Sequence, residues 1–293
     1  MIISIASGKG GTGKTTVAVN LAYLMQNVQL VDCDVEEPNA HLFLKPVIEH
    51  KEKAFVLVPR VNYDKCNYCG KCRKVCAYGA ISVLPATGKG SKGQVLIFDH
   101  LCHSCGACVL LCQQNAMFFE KREIGIIEIG KAGKINFVHG KLNIGDIMTP
   151  SLIKQVKRYI NNANTVIIDA PPGTSCPVIN AIKGSDYVLL VTEPTPSGLH
   201  DLKLAVEALK KMKIQHGIII NRSENKDEII EEYCKKEKLN IVLKIPFTKE
   251  AAEIYSKGNL LVIESPKYRK LFEEFINTFI KSINKGEKYE KPI

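Results

Sequence analysis

The stretch SGKGGTGKTT (7–16) decides how the rest of the chain is read. Gly8, then four residues, then Gly13-Lys14-Thr15 is the spacing of a phosphate-binding loop. Its context agrees, because IISIA (2–6) before it is a short β-branched run and a helical pattern follows over 15–26. In such a strand–loop–helix unit Gly8, Gly10, Gly11 and Gly13 free the backbone to turn its N–H groups, with those of Thr12 and Thr16, toward phosphate, and the helix N-terminus adds a favourable dipole. Lys14 is spaced to reach the β and γ phosphates and Thr15 to ligate Mg²⁺. A nucleotide with Mg²⁺ is expected; a glycine-rich turn holding no ligand is the alternative.

Outward from the loop, VQLV (28–31), VIID (166–169), YVLLV (187–191), GIIIN (217–221) and IVLKI (241–245) are short, β-branched and bounded by turns. That is the pattern of parallel strands buried on both faces. Helical stretches over 15–26, 151–161, 199–213 and 227–238 alternate with them, which predicts an α/β fold with a doubly wound, mostly parallel sheet. Thr195 is a good N-cap and Pro196 a good first residue for the third of these helices. Between about Lys53 and Arg122 the alternation stops and cysteines, glycines and short strands replace it. The expected domains are a core made of 1–53 and 123–285, an insert over 54–122 and a solvated tail over 286–293.

The chain has 293 residues, 40 Lys and Arg against 30 Asp and Glu, and 11 cysteines. The resulting +10 charge comes from scattered lysines with no aromatic–basic interleaving, so no nucleic-acid partner is expected. Part of the excess would offset anionic ligands. No apolar run reaches bilayer length and MIISIASGKGG has no basic leader, which predicts a cytoplasmic protein without stable membrane association. The stripe Leu271, Phe272, Phe275, Ile276, Phe279, Ile280 and Ile283 has helical period and is expected to face the core, a membrane-binding face being the alternative.

In a reducing compartment the cysteine spacing argues for metal rather than disulfides. CNYCGKCRKVCAYGAIS (66–82) is repeated as CHSCGACVLLCQQNAMF (102–118), with glycine after each second cysteine (Gly70, Gly106) and alanine four residues after each fourth (Ala80, Ala116). The linker PATGKGSKG (85–93) between them reads as a turn-rich loop. Each copy has the C-x2-C-x2-C-x3-C spacing of bacterial ferredoxins, in which the fourth cysteine of a run ligates the other cluster. Two 4Fe–4S clusters are expected, one on Cys66, Cys69, Cys72 and Cys112, the other on Cys102, Cys105, Cys108 and Cys76. Zinc, the alternative, usually takes paired C-x2-C knuckles with no third cysteine at the same step. Ala77 and Gln113 stand where proline commonly follows the fourth cysteine, which leaves ligation intact but bears on cluster exposure. Of the other three cysteines, Cys33 reads as a buried small hydrophobe, Cys234 lies on a charged helix, and Cys176 is open to either a packing or a redox role.

Asp32 and Asp34 in VDCDVEEPN lie on one side of an extended chain, and Asp169 ends the strand in IIDAPPGT. Carboxylates at the C-terminal edge of a parallel sheet, beside such a loop, can hold magnesium's waters or polarise an attacking water. Either Asp32 or Asp34 could instead cap a helix. Asn221 offers both a donor and an acceptor for an adenine edge, although asparagine after a strand is as often a turn residue. Lys9 is a second cation within the loop, or a solvated surface lysine.

Together KGGTGKTT, DAPPGTSCPV, VTEPTPSGLHDLKLAVE and the double cysteine repeat resemble, over essentially the whole chain, MinD/Mrp-superfamily P-loop ATPases with an inserted two-cluster ferredoxin domain. The wider group includes ParA and the nitrogenase iron protein. The resemblance implies ATP as the nucleotide and a deviant Walker A motif in which Lys9 reaches a dimer partner's nucleotide and acts in catalysis with Lys14 and Asp34. It implies that Asp34 positions water, Asp32 lies on the magnesium side, Asp169 is the Walker B acid of switch II, Asn221 reads adenine and IPFTKEAAEIYSKG (245–258) covers the base. The partner would be a second copy or a related ATPase. Slow ATP hydrolysis would then be coupled to low-potential electron transfer toward a redox or cluster-accepting protein. A cluster assembly or transfer carrier is the second reading, although this chain lacks the C-x-x-C pair that such carriers use in the C-terminal half. A MinD-like spatial regulator is the third.

Overall fold

The computed structural model describes residues 1–86, 93–162, 164–224 and 226–284. Most of the 85–93 linker and the expected tail at 286–293 lie outside the described residues. In chain order the elements are β1 (Ile2–Ala6), α1 (Lys14–Leu24), β2 (Val28–Asp32), α2 (Ala40–Leu44), β3 (Val47–Val61), α3 (Lys71–Val75), β4 (Ile81–Leu84), β5 (Gln94–Ile97), α4 (Ala107–Leu110) and β6 (Met117–Ala132). They continue with β7 (Ile135–Leu142), α5 (Thr149–Val156), β8 (Thr165–Asp169), α6 (Cys176–Ile182), β9 (Tyr187–Thr192), α7 (Pro196–Met212), β10 (His216–Ser223), α8 (Glu228–Glu237), β11 (Ile241–Pro246), α9 (Lys249–Ser256), α10 (Leu261–Glu264) and α11 (Pro266–Asn284). The chain forms two compact units, one of residues 1–52, 127–141 and 153 onward, the other of 53–126 and 142–152.

Among the described residues nine strands form one sheet in the order β11-β10-β9-β1-β8-β2-β7-β6-β3. From β11 to β7 every pairing is parallel. The six strands read from the sequence are all present, and the α/β class with a mostly parallel sheet holds. β3, β6 and β7 are additions that the sequence did not disclose. Only Gly133, at φ +57°, and Lys134 separate β6 from its sheet neighbour β7, a connection that only an antiparallel pair can use. The helix expected over 151–161 starts earlier and stops at Val156, giving way to a 3₁₀ turn over Lys157–Tyr159.

β1 lies between β8 and β9, buried on both faces, which is why it is apolar except at Ser4, whose hydroxyl is hydrogen-bonded to Ser185 Oγ at 2.6 Å. The chain therefore leaves β1 at the point where the strand order reverses, and the crevice there is where open α/β sheets bind ligands. α1 is buried along Val17–Ala22. α7 begins as expected, with Thr195 Oγ1 accepting the Gly198 N–H at 3.0 Å ahead of Pro196. On α11 Phe272, Phe275 and Phe279 are buried in the core and Leu271 and Ile276 pack against it, each phenylalanine contributing roughly 1.5–3 kcal/mol. The side chains of Ile280 and Ile283 lie outside the described residues.

In the second unit β4 and β5 pair antiparallel from Ile81↔Ile97 to Leu84↔Gln94, and α3 packs on α4. The two cysteine runs share one backbone pattern: left-handed residues fall at Tyr68, Gly70 and Gly79 in the first and at the matching Ser104, Gly106 and Asn115 in the second. Arg60 grips both oxygens of Asp99 at 2.7 and 2.8 Å and also bonds Glu120.

Candidate functional site

The loop after β1 is shaped by close approaches that only glycine allows. A Cβ on Gly8 would sit 2.2 Å from the Asp201 carbonyl oxygen of α7. Gly13 takes φ +93° as the residue before α1, and a Cβ there would meet Asn221 Nδ2 at 2.2 Å. That contact exists because Asn221, at the end of β10, donates from Nδ2 to the Thr12 carbonyl at 2.8 Å. Asn221 thus braces the loop that precedes α1, whatever its Oδ1 does toward a base. A cleft runs along the loop, lined by Gly10, Gly11, Gly13, Lys14, Thr15 and Thr16 and by Asp34, Asn221 and Arg222. Ile245, Pro246, Phe247 and Tyr255 close it with apolar surface.

Lys9 and Gly8 are not among the residues lining this cleft. The Lys9 ammonium is ion-paired with Glu193 in the turn after β9 and donates to Ser197 Oγ at 3.0 Å. Glu193 also receives Arg222 at 3.1 Å, so a single carboxylate gathers both cations.

The three acids differ in surroundings. Asp32 and Asp169 are register partners on the adjacent strands β2 and β8, and both are buried. Asp32 is engaged with backbone: Oδ1 accepts the Asp34 N–H at 3.0 Å and Oδ2 the Ala40 N–H at 3.1 Å, which shapes the turn leading to α2. Burial, with Asp169 beside it, holds the Asp32 carboxyl well above the usual carboxylate range. Burial also pushes Asp169 up to about 7, and neither of its oxygens has a hydrogen-bond partner among the described residues. A buried carboxyl whose two oxygens make no hydrogen bond, with Thr15, Lys14 and Asp34 as its polar neighbours, fits a hydrated cation better than an empty pocket. Asp34 is half-buried on the cleft, raised to about 6 by burial against the pull of Lys14. Cys33 between them is buried, as expected, and so is Cys234, whereas Cys176 is exposed at the start of α6.

In the second unit the eight repeat cysteines line two cavities. One is walled by Cys66, Cys69, Cys72 and Cys112 with Val83, Val95 and Met117. The other is walled by Cys102, Cys105, Cys108 and Cys76 with Pro59 and Ile81. Each takes three cysteines from one run and the fourth from the other. Tyr78 and His103 stack at 3.8 Å beside the second. The repeated alanines explain themselves here: the buried Ala80 and Ala116 each donate an N–H to the sulfur of the preceding fourth cysteine, Cys76 and Cys112, at 3.3 Å. The Ser104 N–H reaches Cys102 Sγ at 3.4 Å. As free thiols these groups respond unequally: burial pushes Cys108 up to about 11, while at Cys112 backbone N–H groups overcome burial and bring it below the usual value. Among the described residues no three Cys, His, Asp or Glu side chains converge on a single-ion site. Four sulfurs around an apolar hollow, with N–H groups aimed at sulfur, suit a larger thiolate-bound cluster.

A family model described as the CobQ/CobB/MinD/ParA nucleotide binding domain matches residues 3–262. The chain belongs to this family. An uncharacterised protein of Methanocaldococcus jannaschii is 33% identical over 294 residues, covering 96% of this chain and 98% of the relative. An iron-sulfur cluster carrier protein of Pyrococcus horikoshii is 24% identical, with 96% of this chain and 86% of that protein covered. The fold is shared with the septum site-determining protein MinD of Pyrococcus horikoshii, solved with Mg-ADP, at TM-score 0.56 and 21% identity over 94% of this chain and 93% of that one.

For a MinD/ParA-type chain the sequence points to the loop and the acids but conceals what holds them. Glu193 passes for one more polar residue in TEPTPS, and its only signal is its place just beyond the end of a buried strand. The bond from Asn221 to Thr12 joins residues 209 apart and has no local signature.

Proposed function

We propose that this chain binds and slowly hydrolyses Mg·ATP and carries two 4Fe–4S clusters in its second unit, nucleotide state governing low-potential electron delivery to a protein partner. The observation that carries the reading is the pair of four-cysteine cavities, each completed by the fourth cysteine of the opposite run. Cys66, Cys69, Cys72 and Cys112 would hold one cluster and Cys102, Cys105, Cys108 and Cys76 the other. Such clusters supply one-electron chemistry at potentials set by burial and by N–H groups directed at sulfur. The N–H donors of Ala80, Ala116 and Ser104 would stabilise negative charge on the ligating sulfurs.

At the nucleotide cleft the N–H groups of Gly10, Gly11 and Gly13 and the start of α1 would cradle phosphate, and Lys14 would offset its charge. Thr15 and Asp169 would hold Mg²⁺ and its waters. Asp34, ionised above about pH 6, would accept a hydrogen bond from the attacking water and orient it. Ile245, Pro246 and Phe247 would cover the base. Lys9 would leave Glu193 to reach the nucleotide of a dimer partner, a second copy or a related ATPase.

The test is an anaerobic redox titration with electron paramagnetic resonance, run without nucleotide, with Mg·ADP and with a non-hydrolysable Mg·ATP analogue. A nucleotide-dependent shift of potential or spectrum is expected. Two clusters indifferent to nucleotide would move the reading to cluster transfer, which the names of the cluster carrier relatives favour and which incubation with an apo-ferredoxin would expose as loss of iron. A membrane-docking regulator is disfavoured by the burial of Phe272, Phe275 and Phe279 on α11, and among the described residues no helix is long and apolar enough to cross a membrane.

A further inference from the structure

The two cysteine runs are alike in backbone and opposite in surface. Aligned copy on copy, Lys71, Arg73 and Lys74 of α3 fall where Ala107, Val109 and Leu110 stand on α4. The first run, with Lys65 ahead of it, is strongly basic; the second has no Asp, Glu, Lys or Arg from Cys102 to Phe119. Lys65, Lys71, Arg73 and Lys74 are all exposed, and Leu110 and Leu111 are exposed by 81% and 55%.

The unit's own acids do not neutralise these cations. Glu123 is taken by Lys53, Asp99 and Glu120 by Arg60, and Asp146 by Arg122, which leaves Asp64 as its other acid. Among the described residues no ion pair reaches Lys65, Lys71, Arg73 or Lys74. α3 packs on α4, and Lys71 Nζ donates to Gln113 Oε1 across them, so the basic and the aliphatic surface belong to neighbouring helices. Between them these helices also carry Cys72 and Cys108 and lead directly into Cys76 and Cys112, one pair for each cavity.

We propose that the α3–α4 face is the docking surface for an acidic one-electron carrier protein. The inference rests on the two-cluster reading and adds to it the class of partner and the place where it binds. Unpaired cations steer an acidic surface into encounter and make association salt-dependent, while an aliphatic patch beside them supplies the desolvated centre of a protein interface. One electron would pass per encounter, the carrier oxidised and this chain reduced, or the reverse. The face favours protein over nucleic acid because Leu110 and Leu111, rather than aromatic rings, are its most exposed apolar side chains, and the neighbouring Tyr78 is stacked on His103.

The probe is an acidic two-cluster bacterial ferredoxin, its affinity for the reconstituted full-length chain measured by bio-layer interferometry at low salt and at about 0.3 M salt. R73E/K74E is expected to weaken binding at low salt by about tenfold or more and to converge with wild type at high salt. L110S/L111S is expected to weaken it at both. Low-salt affinity unchanged in R73E/K74E, or an RNA 20-mer that displaces the ferredoxin and binds more tightly, would overturn the proposal. Iron and sulfide are counted on every sample. A chain that takes up no iron refutes the two-cluster reading, whereas a loaded chain whose ferredoxin binding ignores both variants refutes the docking surface alone.

Discussion

Asp169→Asn should make the nucleotide-free protein more stable while disabling it. Burial holds the Asp169 carboxyl at about 7 against an ordinary 3.8. At 1.36 kcal/mol per pH unit, that climb corresponds to about 4 kcal/mol. The unfolded chain releases this proton near 3.8 and the folded chain near 7, so the folded state gains below 3.8 and loses that gain as pH rises to about 7. Asparagine has no proton to lose and relieves Asp32, its register partner, of a neighbouring charge. Against this, an amide in a pocket where neither carboxylate oxygen found a partner costs about 1–3 kcal/mol. The net expectation is a gain of about 1–3 kcal/mol near pH 8, shrinking to nothing near pH 4–5. Urea unfolding with chelator across this range measures it, and adding Mg·ADP should then stabilise wild type far more than the variant. A variant weaker than wild type at pH 8, or a difference that does not change with pH, would refute the reasoning.

Gly13→Ala places a methyl 2.2 Å from Asn221 Nδ2 at a φ of +93°, so fluorescent-nucleotide affinity should fall about tenfold or more with the far-ultraviolet circular dichroism unchanged. Lys9→Ala leaves Glu193 to Arg222 alone and should abolish phosphate release while leaving nucleotide affinity within a few-fold, since Lys9 does not line the cleft. Cys112→Ser should lower iron to about half and empty the same cluster as Cys69→Ser, not the one lost in Cys108→Ser, as paramagnetic resonance of the reduced protein would show. Phe272→Ala on α11 should cost about 3–5 kcal/mol in urea unfolding, because Phe272 is fully buried in the apolar core.

What the sequence displayed was whatever depends on local spacing. The glycine–lysine–threonine step, the six apolar runs and the Thr195–Pro196 helix start are each readable within a few residues, and each stands where its spacing places it. β3 was hidden because VIEHKEKAFVLVPRV is exposed along most of its first half, where lysine and glutamate mask the two-residue period of a strand. β7 was hidden because INFVHGKL buries a histidine and a glycine, which weakens strand propensity; His139 is accommodated through Glu128 at 2.8 Å. Contacts such as Lys9 with Glu193 or Gly8 against Asp201 depend on strands and helices nearly two hundred residues away and leave no trace in local pattern.

The exchange of fourth cysteines between the repeats has a consequence for ancestry and engineering. A gene segment encoding one copy, duplicated end to end, ordinarily leaves two halves that can be separated again. Here deletion of either run strips three sulfurs from one cavity and the fourth from the other, so no half retains a complete wall. The pair can be inherited, transplanted or discarded only as a whole.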